Sequence, residues 1–129
     1  MVRIVNNKND LPTLDSLISD IIEKNQGKIG MILTHTGVVR AFTRKGEKTK
    51  GVKVTVNKEK LEQIIENAKC LPGISDVRVV IRQGELSVGD ILMLLIVAGD
   101  FRENVFNALK DTLDQIKTYV TSKQELAKE

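Results

Sequence analysis

The spacing of apolar and polar positions changes along the chain, and each change marks an element. Val2 to Val5 alternates as a short strand does, and Pro12 sits where a helix can open. Leu14, Leu17, Ile18, Ile21 and Ile22 recur at helical spacing, predicting a first helix with one apolar face that stops at Gly27. Ile29 to Leu33 is β-rich and runs through Thr34, His35, Thr36 and Gly37 into Val38, Val39 and Arg40, which predicts a strand with a kink or bulge at Gly37. Val52, Val54 and Val56 alternate with lysine and threonine as in a half-buried strand. Asn57 can cap a second helix whose Leu61, Ile64, Ile65 and Ala68 form the buried stripe, and Pro72-Gly73 ends it.

Ile74 to Ile81 is a further strand, turning at Gly84 or at Gly89-Asp90 into Ile91 to Ala98, which is apolar enough to be buried on both faces. Asp100 and Glu103 have capping-box spacing. Phe101, Val105, Leu109, Ile116 and Val120 then mark the inner face of a long third helix carrying Lys117 and Lys123, and residues 124–129 are charged and expected to fray. The order β-α-β-β-β-α-β-β-α, with no repeat or linker, predicts one domain over 1–129. Its class is α+β, with three helices against a mostly antiparallel sheet, and a ferredoxin-like arrangement is the nearest generic alternative. A dimer would use the face of Ile91 to Ala98 or the edge of the Val52 to Val56 strand.

Composition narrows the chemistry. A net charge of +3 from 20 basic and 17 acidic residues, interspersed, does not by itself argue for nucleic acid or membrane. The basic residues concentrate at 41–51 and its borders, where Arg40, Arg44, Lys45, Lys48, Lys50 and Lys53 face one acid, Glu47, in a loop expected to be mobile. Cys70 is the only cysteine, which excludes an internal disulfide and fits a small apolar residue ending a helix in a reducing cytoplasm. No signal-peptide core or membrane-length apolar run is present. His35 is the only histidine, which makes a poor metal site and reads as structural or solvent-facing. There is no P-loop and no nucleophile elbow, and no metal or cofactor is expected.

The cations carry what signal there is. Arg40 ends an apolar strand, Arg102 lies in the first turn of the last helix, and Lys117 follows four turns later. An arginine at a helix N-terminus opposes the helix dipole, and an anion bound there would offset that cost. Lys117 also has an ordinary partner at i−3, Asp114, which is itself spaced to pair with Lys110.

Gly84-Glu85-Leu86 with Gly89-Asp90, the apolar strand to Val97-Ala98, Arg102, Phe106, Ala108, Asp114 and Ile116-Lys117-Thr118 together resemble the C-terminal half of the molybdopterin synthase large subunit. Gly37-Val38-Val39-Arg40 is similar to that family's Gly-x-Val-Arg strand end. The resemblance covers residues 27 to 125 and implies an α/β-hammerhead fold, a homodimer, and a small ubiquitin-like sulfur-carrier subunit as partner. It further implies transfer of sulfur from the carrier's thiocarboxylate to cyclic pyranopterin monophosphate, a pterin phosphate, in molybdenum cofactor biosynthesis. On this resemblance Arg40 and Arg102 are the anion-binding residues, and Lys117 matches the family's essential lysine. Lys123 matches a second essential lysine once one residue is deleted, since an ungapped alignment puts Gln124 there.

The departures bear on chemistry more than on scaffold. Ile81-Arg82 and Phe101-Arg102 stand where the family has His-Arg, Val120-Thr121-Ser122-Lys123 replaces Pro-x-Trp-Lys, and Val54-Thr55-Val56-Asn57 replaces a segment with tyrosine and glutamate. Three readings follow: a sulfurtransferase, a dimeric carrier-binding module without catalysis, and an anion- or nucleic-acid-binding domain working through Arg40 to Lys53.

Overall fold

The computed structural model describes residues 1–126 of the chain. Its elements are β1 (Val2–Val5), α1 (Leu14–Lys24), β2 (Met31–Val38), β3 (Gly51–Val56), α2 (Lys58–Lys69), β4 (Ile74–Arg82), β5 (Gly84–Ser87), β6 (Ile91–Gly99), α3 (Arg102–Gln115) and β7 (Thr121–Glu125). The class is α+β as expected, but the strands divide into two sheets. A four-stranded sheet has the order β1-β4-β6-β2, and a three-stranded sheet the order β5-β3-β7. Only the β1–β4 pairing is parallel.

The four-stranded sheet is covered on both faces, which accounts for the unbroken apolar run of β6. Val77, Val79, Ile81, Leu95 and Val97 point into a core closed by α2 and α3, to which Val52, Val54 and Leu86 of the smaller sheet also contribute. Val80, Leu94, Ile96 and Ala98 point the other way, onto Leu17 and Ile21 of α1. On that side the buried Arg78 holds Asp20 of α1 and Asp76 of its own strand, so the guanidinium is desolvated with both charges matched. Neither surface proposed for a dimer is open, because both faces of β6 are buried under helices and the β3 edges are taken by β5 and β7.

The Gly37 irregularity is present. Gly37 opposes Met93 while Val38 opposes Ile91, so Leu92 is an extra residue on β6. The strand end is then fixed by Val39 N–H donating to Asp90 O at 2.9 Å and Gly89 N–H donating to Val39 O at 2.7 Å. Asp90 also accepts from Ser87 N–H at 2.9 Å and Arg82 at 3.1 Å, which pins the turn that leads from β5 into β6. The basic 41–51 segment is ordered as a small hairpin. Phe42 bridges Lys48, and Thr43 N–H donates to Glu47 O at 2.8 Å.

Three expectations fail around α3. Phe101 is 68% exposed rather than inward, because it precedes the first helical turn as the cap residue. No capping box forms. The Asp100 carboxylate instead accepts from the Asn104 amide and from Phe101 N–H, which also holds its pKa below the usual carboxylate range. The helix does not reach Lys123 either. It passes into a π turn over Ile116–Val120, closed by Thr121 N–H to Ile116 O, and β7 begins. The β-branched and aromatic run Thr118-Tyr119-Val120-Thr121 favours that switch. Gln124 and Glu125 therefore pair with Lys53 and Val52 instead of fraying, while residues 127–129 of that expected tail lie outside the described residues. Cys70 does end α2, but it is exposed.

Asn57 caps α2 as its position predicts, its side chain accepting from Lys60 N–H at 3.2 Å. Asn57→Ala should lower unfolding free energy by about 1 kcal/mol, read by urea denaturation, and Asn57→Asp should restore most of it. Among the described residues no helix is long and apolar enough to cross a membrane.

Candidate functional site

The bulged end of β2, the basic hairpin, the π turn and β7 meet around one cavity. β2 delivers His35 and, just past its end, Arg40; the hairpin delivers Arg44; the π turn delivers Lys117; and β7 delivers Thr121 and Lys123. The inner chamber they line is about 530 Å³, and among the described residues no carboxylate lines it. A second chamber of about 520 Å³ shares Arg40, Arg44 and Lys123 and adds Phe42, Lys45 and two carboxylates, Glu47 and Glu125. The three shared cations stand where the two spaces adjoin.

Lys117 is free of the pairing its spacing offered. Asp114 takes Lys110 at 3.0 Å instead, and Lys117 lines the chamber. Among the described residues none of Arg40, Arg44, Lys117 and Lys123 forms a salt bridge. Cations without an ion-pair partner repel one another, which disfavours the charged form of each. Partial burial, then the charge of Lys117, and after them Arg40 and Arg44 hold the Lys123 amine below the ordinary lysine value, against a smaller opposing effect of Glu125. Burial and then Lys117 and Lys123 hold the His35 imidazole below 6.5. An anion with two or more oxygens would relieve this field, and an amine with a lowered pKa can exchange a proton nearer neutrality.

Of the four residues singled out from sequence, Arg40, Lys117 and Lys123 line one chamber. Arg102 does not. It is largely exposed, lies 3.8 Å from Glu103, and borders a separate depression with Gly30, Met31 and Ile32. That is the far end of β2 from Arg40, about 23 Å away by strand rise alone. His35 and Arg44 were not expected in the site. A signal for His35 existed, since Met31, Leu33, His35 and Gly37 alternate onto one face of the strand that ends at Arg40. Arg44 carried none beyond loop charge. Among the described residues no three His, Cys, Asp or Glu converge as a metal site would require.

Comparison with known proteins gives the family and the fold. Residues 7–119 match the family model described as MoaE protein. An uncharacterized protein of Methanocaldococcus jannaschii is 35% identical over 106 residues, covering 79% of this chain and 89% of that one. Among solved structures, molybdopterin synthase from Staphylococcus aureus superposes with a TM-score of 0.79 at 25% identity, covering 98% of this chain and 91% of that one. A Helicobacter pylori structure solved as a complex of subunits 1 and 2 of molybdopterin-converting factor shares the fold, with a TM-score of 0.73 at 18% identity over 96% of this chain and 83% of that one.

Proposed function

The chain belongs to the MoaE protein family, and from that premise we propose that it serves molybdenum cofactor biosynthesis as the large subunit of a molybdopterin synthase. In this reading it transfers sulfur from the thiocarboxylate tail of a small ubiquitin-like carrier to cyclic pyranopterin monophosphate. The observation that carries the reading is the convergence of Arg40, Lys117 and Lys123 on a chamber that, among the described residues, no carboxylate lines. Both reactants are anionic, and an unneutralised cationic chamber favours their entry. As sulfur attacks, negative charge develops on the acceptor, and preorganised cations stabilise it without first having to turn toward it. Lys117 and Lys123 are the proton-handling groups, and the lowered pKa of Lys123 suits it to give up and regain a proton.

A small carrier subunit as partner accords with the two-subunit complex solved for the Helicobacter pylori protein. Arg102, exposed and remote from its own chamber, fits a role toward a second copy in a homodimer. The single domain acts in the cytoplasm, where Cys70 stays a free thiol.

Incubation with thiocarboxylated carrier and cyclic precursor should yield the dithiolene product by mass spectrometry, and Lys117→Ala should abolish it while still binding carrier. Carrier binding by the wild-type chain without product, beside an active control synthase, would leave a carrier-binding module and end the catalytic reading.

A further inference from the structure

His35 differs in kind from the rest of the inner chamber. Its neighbours there are arginines, lysines, hydroxyls and apolar groups, whereas an imidazole ordinarily changes charge between about pH 5 and 8. It sits on β2 opposite Leu95, and among the described residues its ring makes no hydrogen bond. The next residue on its face of the strand is Gly37, where an added Cβ would lie 3.5 Å from the imidazole Nε2. That is an ordinary van der Waals distance, so the ring nitrogen lies directly beside Gly37 at the cavity wall.

We propose that His35 is an anion-binding residue of this chamber, whose ring takes up a proton as an anionic ligand enters and donates an N–H to one of its oxygens. The proposal deepens the functional reading above and rests on it for the class of ligand. The charges facing the ring come from every element around it: Lys117 from the π turn, Lys123 from β7, and Arg40 and Arg44 from the segment after β2. With the chamber empty, a fifth positive charge is opposed by burial and by Lys117 and Lys123, which hold the ring's pKa below its ordinary value. An arriving anion cancels part of that field and gives an imidazolium an acceptor. Proton uptake and anion binding then favour each other reciprocally, so affinity increases as pH falls toward the pKa of the empty-state ring. His35 makes the charge conditional on occupancy.

The one histidine of the chain gives one imidazole resonance, so its titration needs no assignment. The probe is sulfate, which has no titrating proton in this range, against chloride at matched ionic strength. In chloride the ring should titrate below 6.5. In saturating sulfate its pKa should rise by about one unit, equivalent to roughly tenfold tighter sulfate binding by the protonated form. His35→Gln should bind sulfate with no pH dependence across that window, and Lys117→Gln should bring the free ring closer to its ordinary value. Identical titrations in sulfate and chloride overturn the proposal, as does a His35→Gln protein that keeps the wild-type pH dependence. No turnover is involved, so failure of sulfur transfer leaves this result standing, and an unmoved imidazole leaves the sulfur-transfer reading intact.

Discussion

Lys123→Met is expected to lose about 10²- to 10⁴-fold in sulfur transfer while its thermal midpoint at neutral pH rises or holds. The loss is the range for removing a positioned proton-transfer group. The stability change follows from the lowered pKa of Lys123, because the folded protein disfavours the ammonium that the unfolded chain accommodates freely. The unfolded chain binds the extra proton between the folded pKa and 10.5, so wild-type stability increases with pH over that interval. Below it the full penalty applies, and methionine, similar in length and uncharged, removes it. The stability difference should vanish above about pH 10.5, where both states carry a neutral amine. Denaturation of both proteins at neutral and strongly alkaline pH, alongside the transfer assay, checks both halves. A variant that is less stable and also inactive would mean that Lys123 holds β7 in place rather than working in the chamber.

Gly73→Ala is expected to cost about 2–4 kcal/mol, the larger of the two effects on stability, although Gly73 lies outside the chamber. Its φ of +76° is left-handed, and an added Cβ would collide with the Asp100 carboxylate and the Asn104 amide. Those two groups form the contact that opens α3, and Gly73 O accepts from Asp100 N–H at 2.9 Å. Gly27→Ala is the matched control. It has the same sign of φ at +79° with nothing within 4 Å of the added Cβ, so it should cost only the conformational part, about 1 kcal/mol. Equal urea midpoints for the two variants would show that the Asp100–Asn104 contact yields without cost.

Much of the scaffold was legible because burial there follows a strict period. The stripe Leu61, Ile64, Ile65 and Ala68 is buried as the helical spacing requires, and β6 is apolar throughout because helices cover both faces of its sheet. An irregularity at Gly37 was legible because a glycine weakens a β-rich run and is kept where the strand must bend or another group comes close, although the extra residue, Leu92, lies on β6 opposite it. β5 and β7 were not, since Gly-Glu-Leu-Ser and Thr-Ser-Lys-Gln-Glu offer little apolar alternation and owe their strand form to pairing with β3. Phe101 misled because an aromatic at helical spacing resembles a core residue, and only its place before the first turn turns it outward. In the site, Arg40 and Lys117 could be found from motif context. Arg44 could not, because its approach to Lys123 depends on how the hairpin folds back.

The π turn between α3 and β7 bears on how lineages of this fold diverge. A turn closed from residue i to i+5 holds one residue more than an α-helical turn, so it can absorb or release a single-residue insertion without moving the elements on either side. Lys117 lies within it and Lys123 just beyond. The interval between two such lysines can therefore drift by one residue while both keep their places in the chamber. A one-residue mismatch in an alignment there reflects the geometry of the connector, and says nothing about whether the second lysine has been lost.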